Sequence, residues 1–335
     1  MHFKSYLGST LFLVLFVIIV GQSQQTKAQD IHFTQFDFAP LFINSSNTGN
    51  FNGDWRVAGN FRNQWQGVSD PFRTSLISFD KQVFVLNQKL GVGAYFVNDE
   101  SGKGSMSYNK LYASVGYNTI INNNGIGVGF QLGYVFGNVN SWLVYDPLTG
   151  TYTAPNGEPM SDYKSKFLDV NFGLNYKRSI SIIHPEVGLS FMHLNMPSNA
   201  FEESDEKLAL RYNLYSTVKT NISDKIYVTP KFLLSGVKGS SEYIVGTEAG
   251  WNLIGIKTTV KRVFGGAYIR NGSTGFDAFM AQVGATIGRL DLGISYDMYL
   301  SDISQTGNMS AFEITFIYKS ISTILNSYSI PCERY

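Results

Sequence analysis

The sequence predicts an all-β transmembrane barrel of about fourteen antiparallel strands. Three observations point there: a shortage of charge, a period-two alternation of apolar and polar residues, and connections that alternate between tight and long. The 335 residues are 44% hydrophobic but only 15% charged, with 33 Gly, 25 Phe and 20 Tyr. A soluble domain carries about 25% charged residues, yet a mean hydropathy of -0.05 is not that of a helical membrane protein. Strands with one apolar face toward lipid and one small or polar face toward a lumen reconcile the two.

Residues 1–28 have the form of a cleavable secretory signal. Lys4 precedes an apolar run from Leu11 to Val20, shorter than the roughly 20 residues of a spanning helix, and Thr26-Lys27-Ala28 places small residues before the cut. Cleavage after Ala28 removes Lys4 and Lys27, so 26 Lys plus Arg fall to 24 against 25 Asp plus Glu. Near-neutrality argues against nucleic acid, which requires a basic face. Cys332 is the single cysteine, so an intrachain disulfide is excluded, and the aromatic content argues against disorder.

A Phe-rich segment, 29–53, comes before the barrel, which spans 54–319; a tail, 320–335, follows. Strands are expected near 54–65, 72–86, 89–98, 108–120, 125–137, 166–179, 182–194, 207–220, 225–238, 243–255, 258–270, 276–287, 289–301 and 309–319. Most run about 10 to 14 residues, beyond the usual soluble strand and close to a bilayer-spanning one. The clearest places Leu290, Leu292, Ile294, Tyr296, Met298 and Leu300 on one face against Asp291, Gly293, Ser295, Asp297, Tyr299 and Ser301. Ile126 to Phe136 alternates with Gly127, Gly129, Gln131 and Gly133, and Leu168 to Tyr176 with Asp169, Asn171, Gly173 and Asn175.

Tight connections are expected after every second strand, at 87–88, 122–124, 179–182 and 221–225 and around Gly255 and Gly288. Longer ones, such as 98–107, 138–165, 195–206 and 301–308, fall mostly between them. An even strand number with short turns on one side is the pattern of an outer-membrane barrel whose ends lie in the periplasm. Trp55, Trp65, Trp142 and Trp251 fall near strand ends or in loops, where an interfacial girdle would put them, although four such positions carry little weight alone.

Residues suited to chemistry are few. His32, His184 and His193 have no metal-ligand neighbour at useful spacing, and no nucleophile-elbow, zinc-protease or phosphate-loop motif appears. Gly125, Gly127 and Gly129 fall at strand alternation without a following helix, so they read as small lumen residues and not as a nucleotide fingerprint. The acidic run Glu202, Glu203, Asp205 and Glu206 reads as a solvated loop tip. Asp169, Lys231, Asp291, Asp297 and Glu313 point to the polar network of a filled lumen, with a selectivity lining or a catalytic pair as alternatives. No catalytic, cofactor or metal site is expected, and the chain reads as non-enzymatic.

The segment after the cleavage point is the most distinctive. It reads Gln29-Asp30-Ile31-His32-Phe33-Thr34-Gln35-Phe36, then Ala39-Pro40-Leu41, Asn44, Thr48-Gly49, Phe51-Asn52-Gly53, Trp55-Arg56 and Asn60-Phe61-Arg62-Asn63-Gln64-Trp65. With Asp80-Lys81, Leu90 to Gly93, Asn98-Asp99, Gly129 to Tyr134 and the ending Pro331-Cys332-Glu333-Arg334-Tyr335, it resembles the PorP/SprF family of outer-membrane proteins of type IX secretion and gliding motility in Bacteroidetes. It departs from that family's pattern at Ser45-Ser46-Asn47, Glu333 and Tyr335.

The resemblance implies a membrane component that binds, anchors or helps deliver a secreted surface protein, such as an adhesin, through that protein's C-terminal domain. It also implies contact with the translocon or its periplasmic ring. A barrel transporter for a small or hydrophobic solute is the alternative. Phe33, Gln35, Phe36, Pro40, Asn44, Arg62, Trp65, Cys332 and Arg334 are the candidate site. They serve either as a lumen plug alone or as a plug that also meets a partner, and loops 138–165 and 195–206 are where specificity would lie.

Overall fold

A computed structural model of the chain describes residues 31–65, 71–85, 88–101, 106–139, 144–146, 151–153, 163–198, 207–255, 258–272, 275–300 and 310–322. The signal 1–28, Trp142, the acidic run 202–206, most of loop 138–165, and Cys332 and Arg334 lie outside these residues.

The strands are β1 (Trp55–Gln64), β2 (Phe72–Val85), β3 (Gln88–Ser101), β4 (Met106–Ile121), β5 (Asn124–Val139), β6 (Val144–Asp146), β7 (Thr151–Thr153), β8 (Tyr163–Arg178), β9 (Ile183–Met192), β10 (Arg211–Asn221), β11 (Ile226–Val237), β12 (Ser240–Asn252), β13 (Val260–Gly272), β14 (Gly275–Ile287), β15 (Leu290–Tyr299) and β16 (Ser310–Lys319). Fourteen of them close a barrel in chain order, while β6 and β7 form a separate hairpin inside the long fifth connection, which the alternation pattern does not foresee. Every neighbour pair is antiparallel, and β1 closes the ring on β16 from Arg56 opposite Lys319 to Gln64 opposite Ala311. Closure leaves no sheet edge, which is what lets strands span hydrocarbon.

Connection lengths differ from the sequence expectation on both sides of the barrel. The turn expected around Gly255 occupies residues 253–259, between the end of β12 and the start of β13. On the opposite side, where long loops were expected, β11 and β12 are joined by Lys238 and Gly239 alone. Gly239 has φ of 84°, which lets a two-residue turn reverse the chain.

Burial is inverted relative to a soluble protein. On β15, Ile294, Tyr296 and Met298 are 49%, 45% and 42% exposed, while Asp291, Ser295 and Asp297 between them are buried. On β5, Ile126, Val128, Phe130, Leu132, Tyr134 and Phe136 all face outward and Gln131 faces the lumen. A belt of this kind is stable only against lipid. At the short-turn rim the Trp55 ring packs tilted against Tyr318 at 5.3 Å, and Trp251 is exposed, as an interfacial girdle requires. Leu132→Lys is expected to destabilise the barrel in lipid vesicles by about 2 to 4 kcal/mol, read as a lowered urea midpoint. An unchanged midpoint would mean that this face does not meet hydrocarbon.

Candidate functional site

The lumen is occupied by the chain's own N-terminal segment. It enters the described region in the half of the barrel opposite the short turns, where Arg211 Nη1 donates to Ile31 O at 3.1 Å and Arg270 Nη1 lies 3.0 Å from His32 Nε2. It reaches the short-turn end at Gly49, whose N–H donates to Asp80 Oδ2 at 2.8 Å, and then leads into β1. Three single turns compact it on the way: Phe36–Phe38, Pro40–Ile43 and Ser45–Asn47. Pro40 opens the second turn, where a missing N–H costs nothing. Asn44 caps the third, its Oδ1 accepting from Ser46 N at 2.9 Å.

Three ionic clusters tie the segment to the wall. In the first, Arg62 on β1 donates to Asp297 at 2.7 Å and to Glu313 at 3.2 Å, all three nearly fully buried. Arg62 also donates to Thr34 Oγ1 at 2.8 Å. The backbone N–H groups of Thr34 and Gln35 donate to the two Glu313 oxygens at 2.9 and 3.1 Å, and the Gln35 side chain meets Ser295 and Thr315. In the second, Arg56 holds Asp80 through Nε and Nη2 at 2.9 and 2.8 Å and donates to Asn47 O at 2.9 Å. In the third, Lys231 bridges Asp37 of the segment at 2.6 Å and Glu248 of β12 at 2.7 Å.

Such charges are buried at a desolvation cost that only full pairing offsets. Around them the segment's aromatic residues find lumen partners. Phe33 meets Phe42 edge-on at 5.3 Å, Phe42 meets Tyr95 at 6.2 Å, and Tyr95 stacks on Tyr112 at 4.7 Å.

Close approach is possible because the wall is bare at the contact. A Cβ on Gly129 would lie 2.2 Å from the Ser45 carbonyl carbon, and one on Gly173 would lie 1.9 Å from Asn44 Oδ1. Asn44 Nδ2 then donates to the carbonyls of Leu174 and Leu189 at 2.9 and 3.3 Å.

The structure brings most of the sequence-predicted residues together. Phe33, Gln35, Phe36, Pro40, Asn44 and Arg62 are all buried in the lumen, among neighbours from the barrel wall and the segment itself. Trp65 lies just beyond β1, with φ of 64°, edge-on against Phe72 at 4.9 Å and Tyr299 at 6.3 Å, at the border of the apolar cluster that contains Phe36. Of the five charged positions expected to line the lumen, Asp297, Glu313 and Lys231 hold the segment. Asp291 pairs with Arg262 and Lys319 at the short-turn end, and Asp169 accepts from Tyr112 and lies 2.9 Å from His193 Nδ1.

Sequence reasoning did not single out Arg270, Glu248 or the Arg56–Asp80 pairing as part of this network. Their signal was available: a strand charge facing hydrocarbon is costly, so each charge in lumen phase is a network candidate. Among the described residues no group of three or more His, Cys, Asp or Glu side chains is placed to hold a metal ion.

The sequence matches the PorP/SprF family, described as type IX secretion system membrane protein, over residues 25–318. No curated protein matches it. Similar solved structures include the Ralstonia pickettii toluene transporter TbuX, 8% identical, with 84% of this chain and 93% of that one covered at a TM-score of 0.53. A TodX deltaS2S3 mutant, a monoaromatic hydrocarbon channel, is 8% identical, with 89% of this chain and 96% of that one covered at a TM-score of 0.50. At these identities the likeness is one of fold alone.

Proposed function

Because the chain belongs to the PorP/SprF family of type IX secretion system membrane proteins, and is an outer-membrane barrel with a secretion-related role, we propose that it is a non-enzymatic anchoring component. In this reading it binds the C-terminal domain of a secreted surface protein at its long-loop face and holds that protein at the outer membrane.

The observation that carries the proposal is the filled lumen. Three ionic clusters and an aromatic core fasten residues 31–49 inside the barrel, so the wall serves as a rigid scaffold for its loops. The lumen acids Asp80, Glu248, Asp297 and Glu313 are engaged in ion pairs and hydrogen bonds with the segment and the wall, which supports binding over catalysis. A solute path, as the names of the toluene transporter and hydrocarbon channel suggest, would first require that segment to move.

Deleting the gene is expected to leave the outer membrane intact while abolishing surface display of one secreted protein, read by surface proteomics of intact cells. Unchanged display of every surface protein would overturn the anchoring role. Uptake of labelled toluene by vesicles carrying the purified barrel would favour the transporter instead.

A further inference from the structure

Five cations project into the short-turn mouth of the barrel from strands spread around its circumference: Lys89 on β3, Lys177 on β8, Lys219 on β10, Arg262 on β13 and Lys319 on β16. Each lies in lumen phase, two residues or a multiple of two from a buried inward position: Gly91, Asn175, Tyr215, Phe264 and Ile317 respectively. In the ring order these strands are the third, sixth, eighth, eleventh and fourteenth of fourteen, so the charges encircle the mouth.

They are incompletely neutralised. Among the described residues the inward strand acids facing these cations are Glu186, Glu248 and Asp291; Glu248 is held by Lys231 at 2.7 Å, and Asp291 is shared by Arg262 at 3.1 Å and Lys319 at 3.2 Å. Lys177 donates to Asn50 and sits across from both Glu186 and Lys89. Lys219 lies over the Tyr227 ring at 4.8 Å and faces the cations Arg262 and Lys319 together with the acids Glu248 and Asp291, each of which is already paired with another cation. Among the described residues neither Lys89 nor Lys219 has a carboxylate within ion-pair distance. Beside Lys177 a cavity of about 170 Å³ opens between β5, β8 and β9, with Arg178, His184 and Glu186 in its lining. Like charges held together around this mouth raise the local potential and draw in anions.

We propose that this collar is a docking site for an acidic polypeptide segment of a periplasmic partner. The cations point toward the barrel axis, so the phosphates of the surrounding bilayer do not face them. Their spread around the whole mouth suits a chain carrying several carboxylates, whereas one small anion would engage only adjacent members. The proposal takes only the periplasmic orientation of this mouth from the functional reading and does not depend on which protein is anchored outside.

The test uses the full mature barrel in detergent and a fluorescent oligo-glutamate peptide, with binding read by anisotropy across a salt series. Lys89→Gln with Lys219→Gln is the informative variant, because it removes two charges that hold no carboxylate and should leave folding intact, checked by heat-modifiable gel mobility. Binding is expected to weaken with salt and to fall about three- to tenfold in the double variant. The outward-facing control Lys81→Gln with Lys261→Gln should match wild type.

Equal affinity in the two double variants would overturn the collar. So would full displacement of the peptide by inorganic phosphate at equal ionic strength, which would mark a small-anion site. Loss of peptide binding with normal surface display, or the reverse, separates this inference from the anchoring role.

Discussion

Replacing Gly129 and Gly173 by valine is expected to expel the N-terminal segment from the lumen and turn a filled barrel into a conducting one. Both glycines face inward, and the atoms that a Cβ would strike are the Ser45 carbonyl group and Asn44 Oδ1 at 2.2 and 1.9 Å. Neither obstacle is the end of a flexible side chain free to swing away. Ser45 contributes backbone, and the Asn44 amide is held by Ser46 on one side and by the Leu174 and Leu189 carbonyls on the other. The strand ladder that carries the two glycines is continuous, with Gly129 directly opposite Gly173, so the wall cannot yield locally without breaking the barrel.

The segment is the softer partner and has to leave. Planar-bilayer conductance and protease digestion of residues 31–53 read the outcome, with Gly265→Ala, whose nearest atom is 3.5 Å from the added Cβ, as the control. A double variant as silent and as protease-resistant as wild type would show that the segment is not seated by this contact.

Arg62→Ala should be the most destabilising single side-chain truncation in the lumen. It removes the guanidinium that pairs with both Asp297 and Glu313 in a buried site, leaving Glu313 without its cation and Asp297 with Arg270, whose Nη1 lies 3.6 Å away. Stranding buried charges in this way costs about 3 to 5 kcal/mol. Thr34 loses one hydrogen-bond donor to its hydroxyl as well, so the upper part of the segment should fray before the barrel unfolds. Hydrogen exchange at Thr34 and Gln35, whose amides bond Glu313, should rise ahead of exchange in β1 and β16.

The companion variant Arg62→Met with Asp297→Asn and Glu313→Gln removes the charges together. It should recover much of the loss, because the penalty belongs to the unpaired carboxylates. A single Arg62→Ala variant with wild-type stability and exchange would mean that the network does not fasten the segment.

Much of the barrel was legible in the residues themselves. Alternation such as Leu290 to Leu300 against Asp291 to Ser301 is visible without a structure, because a lipid-facing strand admits apolar residues at every second position. Turn length was less legible. Gly239 permits a two-residue reversal where a loop was expected, and 253–259 runs longer than the lone Gly255 suggests. Those lengths depend on where each strand stops pairing with its neighbour, a property of two strands at once. The lumen charges Lys231, Asp297 and Glu313 are visible as lumen-phase residues; Arg270 and Glu248 are equally in phase, but their partners lie on other strands, which periodicity does not show.

The sequence by itself determined that this chain spans an outer membrane as strands, which of their faces meets lipid, and which family it resembles. Each follows from local patterning or a short motif. Only the tertiary structure decided what the Phe-rich segment does. Thr34 meets Glu313 across 279 positions of chain, and Asn44 enters the space left by Gly173. The periodicity that marks Gly173 as lumen-facing cannot say which remote backbone will fill the gap. That choice is made by three-dimensional fit, when barrel closure brings the first and last strands together around a segment short enough and polar enough to satisfy every charge it meets.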